Sequence, residues 1–470
     1  MLPDDVLLAI FDFCASEYHS TKKELEVWWR TLIHVHRRWR GLVFRSPRRL
    51  MLQLVCSAKT PARNTLDVWP FLPLSIHCNV GCTIESVDNI MAALERRDCV
   101  CRIRVEDVPS SHLERYMAAM QVPFLELTFL RLSSNDQMAV VPDSFLGGSA
   151  PSLKYLSWRG IPFPGLPKLL LSATHLVELQ LSKIPHSGYF SPNAMATALS
   201  ALTSLEKLSL DFQSPQSRPD WASRRPPPTT RSILPVLTDF GFVGVSEYLD
   251  DFVARIDAPG LNILEITLFN QIVFETPHFI QFISRTPMFK ALEKAHVAFG
   301  ARAAMVNFST DLSSRHPILV VRILCRELDW QVSSLEQVFT SCLPPLSTLD
   351  LCIYKNPLSY EQTDWQDNIE NALWLELLQP FTGLKNLYIS KVFVPRIVPA
   401  LQDLVGGRTT EVLPTLQNVF LAEHQPSGPV HEAIGEFIAA RQVISRPITV
   451  SPWDFSTMYA IPEIDFGFFK

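Results

Sequence analysis

Glycine is scarce in this sequence, which has only 17 Gly against 36 Pro in 470 residues. Average usage is about 7% Gly and about 5% Pro, so the ordinary order of the two is inverted. Proteins that hold nucleotides in glycine-rich phosphate loops need Gly at fixed spacings. Neither GxGxxG nor GxxxxGK followed by Ser or Thr occurs here, which argues against that class.

Charged residues are also sparse. They make up 19% of the chain, hydrophobic residues make up 47%, and the net charge is −5. Non-specific binding to nucleic acid requires a basic face, so the composition argues against that function. The apolar content excludes wholesale disorder. No run approaches 18 consecutive apolar residues, and we therefore expect no membrane span.

The N-terminus has no basic leader, although it is apolar and carries Asp4, Asp5 and Asp12. This pattern predicts a helix rather than a secretory signal. The nine Cys form an odd set, which without a signal peptide indicates reduced thiols. We expect a cytoplasmic or nuclear protein.

Four cysteines within 24 residues invite a zinc interpretation. They are Cys78, Cys82, Cys99 and Cys101, with His77 adjacent. Their spacing fits no common zinc pattern. Cys99 and Cys101 share strand parity with the apolar residues that follow, so we expect them to point into a core as small hydrophobes. No serine-hydrolase, zinc-protease or paired-carboxylate signature stands out either, and we expect no catalytic, metal or cofactor site.

A short motif, apolar-x-x-apolar-x-apolar, recurs from residue 100 onward. Its copies are Val100/Ile103/Val105, Leu127/Leu130/Leu132, Leu153/Leu156/Trp158, Leu176/Leu179/Leu181, Leu205/Leu208/Leu210, Leu237/Phe240/Phe242, Leu261/Leu264/Ile266, Leu346/Leu349/Leu351, Leu384/Leu387/Ile389 and Leu416/Val419/Leu421, with a degraded copy at Leu292/Ala295/Val297. The apolar run from Ile318 to Ile323 predicts a further strand in the gap before Leu346. Apolar residues at the spacing of a helix face precede several copies of the motif, as at Val87/Ile90/Met91/Leu94.

The repeating unit is therefore a helix, a turn and a short strand, which buries its apolar face only against further copies. Pro stands two residues before the first apolar position in five copies, where it would end the turn: Pro151, Pro235, Pro259, Pro344 and Pro414. An ordinary α/β sheet protein is the alternative. Ten copies at near-constant phase favour an α/β solenoid that resembles the longer leucine-rich repeats. These units lack the usual Asn or Cys after the strand, which predicts an irregular horseshoe.

Residues 211–235 interrupt the repeats with six Pro, several Ser and Thr and four Arg. Such a composition cannot bury enough apolar surface to fold, so we expect a mobile excursion from one repeat. A tolerated insertion and a loop that docks a partner are both compatible with it.

The first fifty residues form a separate segment with two apolar helical patterns. Residues 2–11 read LPDDVLLAIF, and residues 32–43 read LIHVHRRWRGLV. Pro3 and the acidic pair suit the first turn of a helix. Two or three helices cannot bury all these side chains among themselves, which predicts a partner surface or packing on the end of the solenoid. The basic residues around Arg37 and Arg38 are interpreted as a solvated flank, or as facing an acidic partner, rather than as an RNA site.

These two stretches resemble an F-box, the helical module that docks on a Skp-type adaptor in cullin-RING ubiquitin ligases. An F-box followed by leucine-rich repeats is itself a known architecture, similar to divergent sets found in fungi. The sequence departs from the F-box pattern at His36, where Cys or Ser is usual, and in its long charged middle from Ser16 to Val27. The resemblance implies that ten residues form or support the adaptor-binding face: Leu2, Pro3, Val6, Leu7, Ile10, Phe11, Val35, Trp39, Leu42 and Val43.

The sequence thus predicts an F-box-like helical module over residues 1–50, a leucine-rich-repeat-like α/β solenoid over 51–425 and a C-terminal capping segment over 426–470. The resemblance implies a non-catalytic substrate receptor of an SCF-type ubiquitin ligase. Its partners would be a Skp-type adaptor, a cullin scaffold reached through it and an unidentified protein substrate, without nucleic acid, membrane or cofactor. The alternative is a leucine-rich-repeat scaffold with no ubiquitin role, whose N-terminal helices cap the solenoid.

Overall fold

The computed structural model describes residues 2–17, 28–46, 54–57, 72–79, 84–134, 136, 139–219, 230–271, 274, 276–310, 317–345, 348–356, 369–405, 411–422 and 429–453. The chain divides into two compact units. The first comprises Met1–Phe190 and Ala201–Leu205, and the second comprises Ser191–Ser200 and Glu206–Lys470. The predicted domain boundaries at residues 50 and 425 lie outside the described residues and stay predictions.

The first unit combines N-terminal helices with a parallel sheet. Its helices are α1 (Asp4–Glu17), α2 (Trp28–Val35), α3 (Arg37–Arg45), α4 (Ile84–Leu94), α5 (Ser110–Ala119) and α6 (Leu166–Leu170). Its strands are β1 (Leu54–Ser57), β2 (Leu74–Cys78), β3 (Val100–Val108), β4 (Phe129–Ser134), β5 (Tyr155–Arg159) and β6 (Glu178–Ile184). These strands pair in chain order, each parallel to the next. Helix α4 packs against β1 and β2.

The second unit continues the alternation of strand and helix. Its helices are α7 (Pro192–Leu199), α8 (Ser246–Val253), α9 (Pro277–Arg285), α10 (Leu328–Ser341), α11 (Asn371–Leu378), α12 (Val394–Gln402) and α13 (Pro429–Val443). Its strands are β7 (Lys207–Phe212), β8 (Ser232–Ile233), β9 (Asp239–Gly244), β10 (Ile256–Asp257), β11 (Ile263–Phe269), β12 (Lys294–Phe299), β13 (Ala303–Ser309), β14 (Leu319–Leu324), β15 (Asp350–Lys355), β16 (Asn386–Ile389), β17 (Asn418–Ala422) and β18 (Thr449–Trp453). No helix within the described ranges is long and apolar enough to cross a membrane.

Most repeats enter their strands through the same turn. The N–H of Leu153 donates to the carbonyl of Ala150 at 3.2 Å, and the same bond recurs three residues apart at Leu205, Leu237, Leu261 and Leu416. Pro151 is the second residue of its turn, where the fixed φ of Pro is favourable. Pro235, Pro259 and Pro414 lie at the equivalent position. The repeated turn, short parallel strand and helix fit a leucine-rich-repeat-like α/β arrangement.

The predicted phase is wrong for one repeat. Leu351 pairs with Leu387, and Ile353 pairs with Ile389, so these two occupy the second and third apolar positions of β15. Thr348 then takes the first position, where it is fully buried, whereas Leu349 is only half-buried. The correct copy is Thr348/Leu351/Ile353, two residues later than Leu346/Leu349/Leu351. Leu346 itself lies outside the described residues.

A hairpin interrupts the regular strand order in the second unit. The strand predicted from the Ile318–Ile323 run is present as β14, but it pairs in parallel with β11. Strand β13 lies next to it and is antiparallel to both β14 and β12. The parallel order resumes from β12 to β15. The chain therefore leaves room for two strands between β11 and β12, and then returns to fill that space with β13 and β14.

The predicted loop over residues 211–235 is structured at both ends. Ser232 and Ile233 form β8, which pairs in parallel with β10, and the side chains of Ser217 and Leu234 are buried. Expecting one mobile excursion was therefore wrong for these end segments. The centre of the loop, residues 220–229, lies outside the described residues.

A β-bulge corrects the predicted placement of two cysteines. The pairing of β2 with β3 shifts between Leu74, which opposes Val100, and Ser75, which opposes Arg102. Cys101 is the extra residue, so Val100 takes the core position while Cys99 and Cys101 are only half-buried. A bulge reverses strand parity, which is why alternation misplaced both side chains.

Neighbouring repeats are joined by a buried side-chain cap. Asp250 of α8 is buried, and its Oδ1 accepts hydrogen bonds from the backbone N–H groups of His278 at 2.8 Å and Phe279 at 2.9 Å. These donors open α9, and a carboxylate is favourable at that positive end of the helix.

Replacing Asp250 with Ala should lower the free energy of unfolding by about 2 kcal/mol, because two buried N–H groups lose their acceptor. Asp250→Asn keeps an oxygen acceptor and should cost less than about 1 kcal/mol. Urea denaturation of the two variants and the wild type measures the difference. Equal losses for Ala and Asn would contradict the capping role.

Candidate functional site

The start of α1 is fixed by an arginine from α3. Arg38 donates from Nε to Oδ1 of Asp4 at 2.8 Å, and its Nη2 donates to the same oxygen and to the carbonyl of Leu2, the latter at 2.7 Å. Asp4 stands in the first turn of α1, where a carboxylate favours the helix dipole. The ion pair is exposed and contributes little stability by itself, but it holds Leu2 beside the helix start.

His36, a departure from the F-box pattern, is the N-cap of α3. Its backbone is extended, with φ −156° and ψ 147°, and its Nδ1 accepts a hydrogen bond from the N–H of Arg38 at 3.1 Å. Ser is the more common cap because its hydroxyl reaches the same donor. The imidazole therefore caps α3, and Nδ1 must be the unprotonated nitrogen to accept this bond.

One half of the ten predicted site residues forms the interior of the N-terminal helices. Leu7 and Phe11 of α1 are buried, as are Leu42 and Val43 of α3. Trp39 is half-buried and meets the ring of Phe11 edge-on, with 5.1 Å between the ring centroids. These five side chains pack the helices together and support a surface without forming it.

The other half is exposed. Leu2 is 52% exposed, Val6 41%, Ile10 42% and Val35 58%, and Pro3 is exposed beside them in sequence. Val6 and Ile10 lie four residues apart on one face of α1. We call Leu2, Val6, Ile10 and Val35 the outward apolar set. Each side chain is about half exposed, so covering it would contribute roughly 1 kcal/mol, less than covering a fully exposed side chain would.

Four of the described cysteines lack the environment of a reactive nucleophile. Burial raises the pKa of Cys56 and Cys101 to about 11 and that of Cys342 to about 12, and it also raises the pKa of Cys352. Thiolate, the reactive form, is then scarce at neutral pH. No group of three His, Cys, Asp or Glu that could hold a metal ion occurs in the part of the chain that the structure describes. Cys82 lies outside that part.

The repeat motif specifies only the apolar positions of each strand, but the structure also brings together several side chains that lie between them. Arg102, Phe129 and Tyr155 lie on adjacent strands of the first unit, each between the first and second apolar positions of its motif copy. The available signal was the run of aromatic and arginine residues at these alternating positions.

No protein family matches the chain, and no curated protein matches its sequence. Two solved structures are similar at low identity. The leucine-rich repeat-containing protein LegL7 from Legionella pneumophila is 13% identical, with a TM-score of 0.28 over 82% of this chain and 97% of that one. A chain of the Rad7 and Elc1 complex in yeast is 12% identical, with a TM-score of 0.26 over 89% of this chain and 88% of that one.

Proposed function

We propose that this chain is the substrate-recognition subunit of an SCF-type ubiquitin ligase. The N-terminal helices bind a Skp-type adaptor, and through it a cullin scaffold, while the repeats bind a protein substrate in the cytoplasm or nucleus. The chain is non-catalytic in this role. It accelerates transfer by proximity, because holding an acceptor lysine near the conjugating enzyme makes a bimolecular reaction nearly unimolecular.

The observation that carries the proposal is the outward apolar set on helices whose sequence resembles an F-box. Val6 and Ile10 stay about 40% exposed although Leu7 and Phe11, on the same helix, are buried. A helix with apolar side chains on both its packed and its open side suits a module that binds a partner. The alternative, a solenoid cap, would instead pack these side chains against the neighbouring repeats.

Deleting residues 1–50 separates the two functions. A receptor should lose capture of the purified Skp-type adaptor and keep the thermal unfolding transition of its repeats. A cap protects the end of a repeat array, so its removal should cause aggregation. Pull-down together with light scattering measures both properties, and failure of the wild-type chain to capture the adaptor would exclude the receptor function.

A further inference from the structure

A row of half-buried side chains crosses the open face of the first unit's sheet. Apolar residues such as Ile103 and Leu130 are buried on one face of the sheet. The residues that alternate with them along each strand therefore lie on the other face. The pairing register aligns Arg102 of β3 with Phe129 of β4, then Tyr155 of β5 and Glu178 of β6. We call these four residues the strand-face row.

Three of the four members of the row stack on one another, and the fourth is connected to them by hydrogen bonds. The guanidinium carbon of Arg102 lies 3.8 Å from the ring centroid of Phe129, and the rings of Phe129 and Tyr155 are parallel with centroids 4.2 Å apart. The Tyr155 hydroxyl donates to Oε1 of Gln180 at 3.1 Å. The Nε2 of Gln180 in turn donates to Glu178 at 2.6 Å. The row therefore has a rigid aromatic centre, with a cation at one end and a carboxylate at the other.

A second row beside it adds positive charge at the β3 end. Arg104 of β3 opposes Arg131 of β4. Both donate to one carboxylate, since Nε of Arg104 lies 2.6 Å from Oε2 of Glu106 and Nε of Arg131 lies 2.8 Å from Oε1. Two guanidinium groups thus share a single negative charge and leave a net positive charge at this position.

Arg102 contributes a cation that has no counter-ion in the described part of the chain. It forms no ion pair with any residue in the described ranges, and its Nε is buried there without a hydrogen-bond partner. Burial and the neighbouring Arg104 lower the pKa of Arg102. A half-buried, like-charged pair of guanidinium groups is unfavourable in the free protein, and an incoming anion would relieve it.

The stacking decides between two kinds of anionic partner. Single-stranded nucleic acid binds aromatic platforms through the open faces of their rings. Here Arg102 covers one face of Phe129, and Tyr155 covers the other, so a base has no face of Phe129 to stack on. A carboxylate, in contrast to a base, needs no ring face to stack on, because it binds through hydrogen bonds from the guanidinium N–H groups. From β3 to β6 the row spans about 14 Å, which is the length of four or five extended residues.

We propose that the strand-face row, with Arg104 and Arg131, binds an extended acidic peptide segment of a protein partner. The peptide's carboxylates contact Arg102, Arg104 and Arg131 at the β3 and β4 end, and its uncharged residues cross Tyr155 toward Gln180. The identification of this partner as the substrate rests on the proposed receptor function, whereas the binding surface does not.

Binding of three labelled probes to the full chain tests the surface by fluorescence anisotropy. The probes are a ten-residue peptide of alternating Glu and Ser, its Gln/Ser counterpart and a ten-nucleotide poly-uridine RNA. We expect the Glu/Ser peptide to bind at least tenfold more tightly than either of the others, because only it offers carboxylates without requiring stacking. Equal binding of the two peptides, or tighter binding of the RNA, would overturn the proposal.

Two variants and a matched control locate the binding site. Arg102→Gln should weaken binding of the Glu/Ser peptide about tenfold, and Glu106→Gln should tighten it a few-fold by releasing two guanidinium groups. Arg115→Gln removes the same charge from α5, where Arg115 pairs with Asp88 at 3.2 Å, and should change binding less than twofold. Equal weakening by Arg102→Gln and Arg115→Gln, or no tightening by Glu106→Gln, would contradict the site. Thermal unfolding checks that each variant is folded.

The same probes distinguish this inference from the proposed function. Peptide binding is measured without adaptor, and adaptor capture is measured without peptide. If the chain captures the adaptor but does not bind the Glu/Ser peptide, the receptor function is supported and the peptide-binding surface is contradicted. If the chain binds the peptide but not the adaptor, the peptide-binding surface is supported and the receptor function is contradicted.

Discussion

An Ile10→Asp chain should bind the Skp-type adaptor on the order of 100-fold more weakly than the wild type. Ile10 belongs to the outward apolar set and is 42% exposed, so the substitution places a carboxylate where a partner would bury a methyl group. Burying an unpaired charge costs several kcal/mol, far more than the lost apolar contact. Titration calorimetry on the purified proteins measures the change.

The fold of the chain should be unaffected, because the side chain is open to solvent in the free protein. Leu125→Asp is the matched control, since Leu125 is a 62% exposed apolar residue of the same unit that lies between α5 and β4. It should bind the adaptor as the wild type does. If both variants lose binding equally, or if Ile10→Asp binds normally, then the outward apolar set is not the adaptor-binding surface.

Periodicity in the sequence located the N-terminal helices but could not assign their faces. Val6 and Leu7 are both large and apolar, and a helical pattern alone permits either to face inward. The packing of α3 against α1 decides which face is buried. The ring of Trp39 in α3 covers Phe11, whereas Ile10 stays exposed. The role of His36 was equally hidden, since a cap depends on a backbone conformation that residue type does not specify.

The repeat motif predicted most strands because its first Leu closes a turn and the next two apolar residues are buried. The motif predicted the wrong phase where an apolar residue outside the buried positions also fits its spacing. In β15 both Leu349 and Leu351 are apolar, and the buried first position is taken by a Thr, so the apolar pattern favoured the wrong phase. The position of β14 beside β11 depends on strand pairing across the hairpin, which no local pattern encodes.

The largest loss of stability is expected from Trp374→Ala in α11, at about 3–5 kcal/mol. Trp374 is completely buried, and its ring meets those of Phe299 and Phe393 edge-on, each with centroids 5.8 Å apart. Removing the indole leaves a cavity between a strand and two helices, and the lost ring contacts add to the lost transfer free energy. Urea denaturation followed by circular dichroism measures the free energy of unfolding.

Trp374→Phe separates packing from hydrogen bonding at the same position. The Nε1 of Trp374 is buried without a hydrogen-bond partner among the described residues. Phe removes this unsatisfied donor and keeps an aromatic ring, so it leaves a smaller cavity than Ala does. Relief of the desolvation penalty offsets part of the free-energy cost of that cavity. We therefore expect Trp374→Phe to cost less than about 1.5 kcal/mol. A cost equal to that of Ala would contradict this account, because Phe keeps an aromatic ring at the position.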